Sequence, residues 1–262
     1  MMYQLSSLAI AASLFVSMLL AIELGYRLGR RKSWPDAAIA QVSAVQAALL
    51  GLLALLLGFT FSLSLQRFDQ RSAAVVAEAN TIGTALLRTD LLPGDHGPRS
   101  RQVLADYIEQ RIAAGRIELT RSDAREASTR HSAKLQQRLW AQAVLAAAED
   151  PSPLRSGLYA QALNEMFDAQ TSRHATLNRH VPELVLYLLY ASFLLTGAIL
   201  GLASGASRSR APSATYVMVA LIVVLVFTII DLDRPRRGII EVDQSTLLEL
   251  GAQAAIARDS AR

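Results

Sequence analysis

The stretch Leu49–Arg88, LLGLLALLLGFTFSLSLQRFDQRSAAVVAEANTIGTALLR, decides how the rest of the chain is read. It begins inside a longer run, Ala44–Leu65, that holds no charged residue. About 20 apolar residues cross a hydrocarbon core of roughly 30 Å, and without water to bond its backbone such a segment has to be a helix. Nothing ends that helix at Leu65. Gln66–Leu92 has no proline, one glycine at Gly83, and many Ala, Leu, Arg and Glu, residues that lose little on becoming helical. The spacing predicts one rod that leaves the membrane unbroken and ends at Pro93-Gly94, a pair that punctuates helices.

Three further runs have the same character. Leu5–Leu24 carries Glu23 as its only charge, and Leu184–Ala203 and Ala214–Ile230 carry none. Of the 262 residues 52% are hydrophobic and 18% charged, too apolar and too poorly charged for a soluble domain. Leu5–Leu24 reads as an anchor rather than a cleaved leader. No Lys or Arg precedes it, it is longer than the usual ~7–15-residue apolar region, and positive charge follows it instead.

The expected organisation is all-α: four transmembrane helices in two hairpins flanking a soluble helical bundle. The first hairpin takes residues 1–65, with spans at 5–24 and 44–65 and a turn over Gly25–Ser43 around Pro35. The soluble helical domain takes 66–182. The second hairpin takes 183–231, with spans at 184–203 and 214–230 and a turn over Ser204–Ser213, and 232–262 is a tail. Within the soluble domain, Val103, Leu104, Tyr107, Ile108 and Ile112 recur at helical spacing. Leu135, Leu139, Trp140 and Val144 mark one face of a helix over Asp123–Glu149. After Pro151-Ser152-Pro153 a further stripe follows at Leu158, Tyr159, Ala162, Leu163, Met166 and Phe167.

Catalytic chemistry finds no constellation. There is no cysteine, no HExxH pairing among His96, His131, His174 and His180, and no nucleophile elbow. There is no phosphate-binding glycine loop either, since Gly201, Gly205 and the nearby serines read as a hairpin turn. The chain is expected to be no enzyme, to need no cofactor or metal, and to bind no nucleic acid, its net charge being only +4. Glu23 has Arg27 one turn on, so a local ion pair accounts for the one acid inside a span.

Two sets of residues on the rod remain as candidates. Gly51, Leu55, Gly58/Phe59 and Ser62 share one face, with Leu53, Leu57 and Thr60/Phe61 opposite. That face is either a glycine-mediated packing surface or a pore wall constricted at Leu55 and Phe59, of the kind that gates by dewetting. Further along stand Arg67, Asp69, Arg71, Glu78, Asn80 and Arg88. They form either a polar network that fixes the rod against its neighbours or a basic ring at a pore mouth that draws anions.

The pair Gly58-Phe59 followed by seven residues and Arg67-Phe68 resembles the second transmembrane helix of bestrophins. The strings GLLALLLGFTFSLSLQRFDQR, EANTIGTALLR and DLDRPRRG resemble the bacterial bestrophin-like domain family, over nearly the whole chain. That resemblance implies an oligomeric, pentameric, passive ion channel, anion-leaning, in a bacterial inner membrane, with small anions and the lipid bilayer as partners. It implies a pore lined by the second membrane helix. Leu55 and Phe59 then take neck positions, and Gly51 stands one turn toward the outer mouth. Gly51 replaces a bulky aliphatic residue usual there, which implies a shorter or wider constriction. The family's animal members carry an acidic calcium clasp after the fourth span. Here Asp231 and Asp233 are followed by Arg234, Arg236 and Arg237, a poor calcium site in which the arginines are expected to pair with the aspartates. The rival readings are a non-conducting membrane scaffold or sensor and a motor-type proton channel subunit.

Sidedness divides two arguments. The basic residues Arg27, Arg30, Arg31 and Lys32 follow the first span and none precedes it, which places the helical domain outside the cell. The resemblance implies that the domain is cytoplasmic.

Overall fold

The computed structural model describes residues 6–118, 121–234 and 238–259. Among them lie eight α-helices: α1 (Ser7–Arg30), α2 (Asp36–Arg88), α3 (His96–Gly115), α4 (Ser122–Glu149), α5 (Leu158–Leu177), α6 (Glu183–Ala206), α7 (Ser213–Leu232) and α8 (Ser245–Asp259). No strand occurs among the described residues. Four helices, α1, α2, α6 and α7, are long and apolar enough to cross a membrane. The described residues divide into two compact units: 6–67, 180–234 and 238–240 in one, and 68–118, 121–179 and 241–259 in the other. Helix α2 contributes residues to both.

The rod read from Leu49–Arg88 is one continuous helix of 53 residues. It begins earlier than the apolar run suggests, because Pro35 supplies a fixed φ and a free carbonyl just ahead of its first turn. Since α1 runs on to Arg30, the connector is only 31–35 rather than Gly25–Ser43. Trp34 closes this short link by donating from its indole N–H to the carbonyl of Gly29 at 2.9 Å.

The membrane unit is held by a seam between α1 and α6. Helix α1 buries Ile10, Leu14, Met18, Ile22, Gly25 and Gly29, and α6 buries Leu189, Phe193, Gly197, Leu200, Gly201 and Gly205. A Cβ on Gly25 would stand 2.1 Å from the carbonyl oxygen of Ala198, and one on Gly201 would stand 2.0 Å from that of Ile22. The two backbones therefore touch. In lipid, where burying apolar groups drives helices together very little, such close packing supplies much of the association. Gly201 and Gly205, expected at the second turn, lie instead inside α6, which reaches Ala206. Leu53 and Leu57 of α2 and Val219, Val223 and Val226 of α7 complete this core.

The second unit is a helical bundle around Val75, Ile82, Leu104, Tyr107, Leu139, Leu163 and Met166. The α3 and α5 stripes are as expected, with Ile112, Leu158 and Phe167 half-buried at the margins. Helix α4 differs. It buries Leu135, Leu139, Ala143 and Ala146, while Trp140 and Val144 stand 40% and 55% exposed. The larger residues drew the expected face one ridge away from the row of small ones that actually packs. The segment 232–262, expected to be a tail, contains α8, whose Leu247 and Ala254 join this core. Asp243 starts that helix by accepting from the amide and hydroxyl of Ser245 at 2.9 and 2.6 Å, bonds that hold its carboxyl below its ordinary pKa.

Candidate functional site

Helix α2 shows two faces along its membrane part. Leu53, Leu57, Thr60 and Ser64 are buried, and Gly51, Leu55, Gly58, Phe59 and Ser62 are exposed. Leu55 is 55% and Phe59 66% open, and nothing lies within 4 Å of where a Cβ would sit on Gly51 or Gly58. Among the described residues, none packs against these two glycines. The open face ascends from small and bulky apolar groups to hydroxyl at Ser62 and amide at Gln66. Asp69 stands eighteen residues from Gly51, five turns at about 3.6 residues each, so it returns to the same azimuth and is exposed.

The charged residues further along α2 mostly turn the other way. Arg71 is 1% exposed and donates to the carbonyls of Arg179 at 2.6 Å and Thr176 at 3.5 Å. It thus caps the C-terminal end of α5, where unsatisfied carbonyls favour a cation. Glu78 is fully buried and accepts from Arg111 of α3 at 2.6 Å and from Arg173 of α5. Arg173 also donates to Gln244 at 2.6 Å. One carboxylate therefore fastens α2 to α3 and α5 at once. Beside it, the Tyr107 hydroxyl donates to Gln170 at 2.8 Å, and burial pushes its pKa well up, so it stays a donor. Arg88 donates to the carbonyl of Leu158 at 2.7 Å, at the start of α5. Asn80 is exposed and Arg67 half-buried.

The motif after α7 is also inward. Asp231, 1% exposed, accepts from the amides of Ile239 and Ile240 at 2.8 and 2.9 Å. A Cβ on Gly238 would stand 2.7 Å from the Asp231 carboxylate, which would have to give up its present position to admit one. Asp233 accepts from the amide of Val181 at 3.0 Å, with His180 Nδ1 at 3.5 Å, and Arg234 donates to Ser7 Oγ at 3.3 Å. Backbone amides bond both carboxylates, a partnership that no residue spacing in the sequence announces. Arg236 and Arg237 lie outside the described residues. Among the described residues no group of three or more His, Asp or Glu could hold a metal ion.

Sequence reasoning missed Arg111 and Arg173 as partners of Glu78. They lie 33 and 95 positions away, and the available signal was only that each sits among the apolar positions of its own helix.

A model of the Bestrophin-like domain matches residues 8–247. No curated protein matches the chain. Crystal structures of a bacterial bestrophin homologue from Klebsiella pneumoniae share the fold. One point variant gives a TM-score of 0.67 at 15% identity, covering 95% of this chain and 97% of that one. Another gives 0.67 at 16% identity over 93% and 98%. A third structure, described only as a membrane protein, gives 0.67 at 14% identity over 97% and 100%.

Proposed function

The chain belongs to the Bestrophin-like domain family, and from that premise we propose that it is an oligomeric passive ion channel whose pore is lined by α2. The observation that carries this reading is the open face Gly51–Ser62 on a helix whose opposite face is packed. A lone lipid-facing helix gains nothing from glycines at Gly51 and Gly58, which weaken it by roughly 0.5–1 kcal/mol each. Copies of α2 arranged around an axis put that face to use. The glycines widen the lumen, Leu55 and Phe59 form an apolar constriction, and Ser62 with Gln66 begins a hydrated mouth. We take the ring to be a pentamer, as the family resemblance implies. The rod and helical bundle form the vestibule, and the Glu78–Arg111–Arg173 cluster fastens the rod to α3 and α5.

The ion deserves a second reading. The resemblance favours anions, yet of the arginines expected to draw them Arg71 is bonded inside the bundle and Arg88 to the carbonyl of Leu158, leaving Arg67. The charge aligned with the open face is Asp69, and a ring of such carboxylates favours cations. The sign of the reversal potential across asymmetric salt discriminates between the two, and if cations are the carriers Asp69→Asn moves it toward zero.

The test is purification, subunit counting and ion flux in liposomes. The proposal expects an oligomer, flux above that of empty liposomes, and a several-fold rise with Phe59→Ala. A monomer whose liposomes are no leakier than empty ones overturns it. Reporter fusions at Pro93 decide whether the helical domain faces the cytoplasm, as the resemblance implies, or the outside, as the charges after α1 imply.

A further inference from the structure

A cavity of about 200 Å³ opens within the helical bundle between α3, α4 and α5. Arg111 reaches it from α3, Arg125 and Ser128 from α4, and Gln170, Thr171 and His174 from α5. Ala114, Ile117 and Leu177 supply an apolar side, and none of the lining residues is acidic.

The electrostatics of its wall are lopsided. Arg111 is only 8% exposed, and its carboxylate partner Glu78 is shared with the buried Arg173. Two buried guanidiniums thus have one carboxylate between them in this cluster. A buried cation left short of negative charge is costly, and the deficit lies against the cavity. Arg125 adds a second guanidinium at the cavity wall, one of its bonds running to Asn178 at 2.9 Å. Guanidiniums presented with hydroxyls form the recognition chemistry of carboxylates and phosphates.

We propose that this cavity is a binding site for a small organic anion, a carboxylate or phosphate monoester with an apolar part. Arg111 and Arg125 hold its charged head, and Ile117 with Leu177 covers its apolar end. Size argues against a bare inorganic ion. A water molecule takes a share of about 30 Å³, so a hydrated chloride would leave much of the cavity to solvent and the apolar wall unused.

The test uses the full chain in detergent, with calorimetric titration and thermal unfolding. The probes are phenyl phosphate and benzoate, against inorganic phosphate and chloride at equal ionic strength. The proposal expects saturable binding of at least one organic probe, accompanied by a rise in unfolding temperature. Arg125→Gln, at the cavity wall and away from the core, weakens that binding at least tenfold and removes most of the ligand-induced rise in unfolding temperature, measured against the variant's own ligand-free value. Failure of both organic probes to saturate overturns it. So does binding that Arg125→Gln leaves unchanged, and so does inorganic phosphate binding as tightly as phenyl phosphate. The readout is binding to the helical bundle, so it stands or falls separately from ion conduction.

Discussion

Glycine appears twice in the membrane unit, in opposite circumstances. On α1 and α6 it forms a seam. Added Cβ atoms at Gly25, Gly29, Gly201 and Gly205 would meet backbone atoms at 2.0–2.5 Å. On α2, Gly51 and Gly58 face open space. The same residue type serves packing in one place and leaves a surface bare in the other. The contrast identifies which small residues the fold of the single chain consumes and which it leaves open.

Substitutions can break or sharpen that contrast. The largest effect is expected at the seam. Gly201→Val drives side-chain atoms into the Ile22 carbonyl, and because backbone cannot yield as a side chain can, the cost exceeds about 3 kcal/mol, the upper end of ordinary overpacking. Little folded protein should survive purification, as size-exclusion chromatography would register. Next comes the buried end of α2. Glu78→Gln leaves Arg111 and Arg173 without their carboxylate, an effect of about 3–5 kcal/mol measurable by denaturant titration. Asn80→Ala, two residues along but exposed, should stay within about 0.5 kcal/mol.

A smaller effect appears only in alkali. Burial pushes the Tyr159 hydroxyl from an ordinary 10.0 to about 12. The unfolded hydroxyl ionises first, so this contribution is intact below pH 10 and is lost as pH rises toward 12. Tyr159→Phe should flatten that part of the stability profile. The change expected at Gly58→Ala is small and opposite in sign, a stabilisation of at most about 1 kcal/mol in unfolding experiments, because nothing lies near the added Cβ. If it destabilised as Gly201→Val does, the open face would be a packed one and the contrast would collapse.

What was legible in the sequence follows from the range of each interaction. Hydropathy and the absence of proline are local, so the four spans and the unbroken α2 could be read directly. The two faces of α2 follow from helical periodicity, and Leu53 and Leu57 are buried where that periodicity puts them. On α4 the same method slipped, because Trp140 and Val144 look like core while Ala143 and Ala146 do the packing. The Glu78 cluster joins residues from three helices, and the amide bonds of Asp231 and Asp233 depend on where the backbone returns. Neither leaves a spacing to detect. The glycine seam was present as Gly25/Gly29 and Gly197/Gly201/Gly205 at four-residue intervals, and it was obscured by reading the last two as turn residues.

The central claim is that the open face of α2 lines water, and the absence of native cysteine permits a direct measurement. Single cysteines at Gly51, Leu53, Leu55, Leu57, Phe59 and Ser62 are exposed, in liposomes, to a membrane-impermeant thiol reagent. A water-lined pore predicts labelling, with a change in ion flux, at Gly51, Leu55, Phe59 and Ser62, and protection at Leu53 and Leu57. Protection at all six positions, as for a face covered by lipid or by another helix, would contradict it.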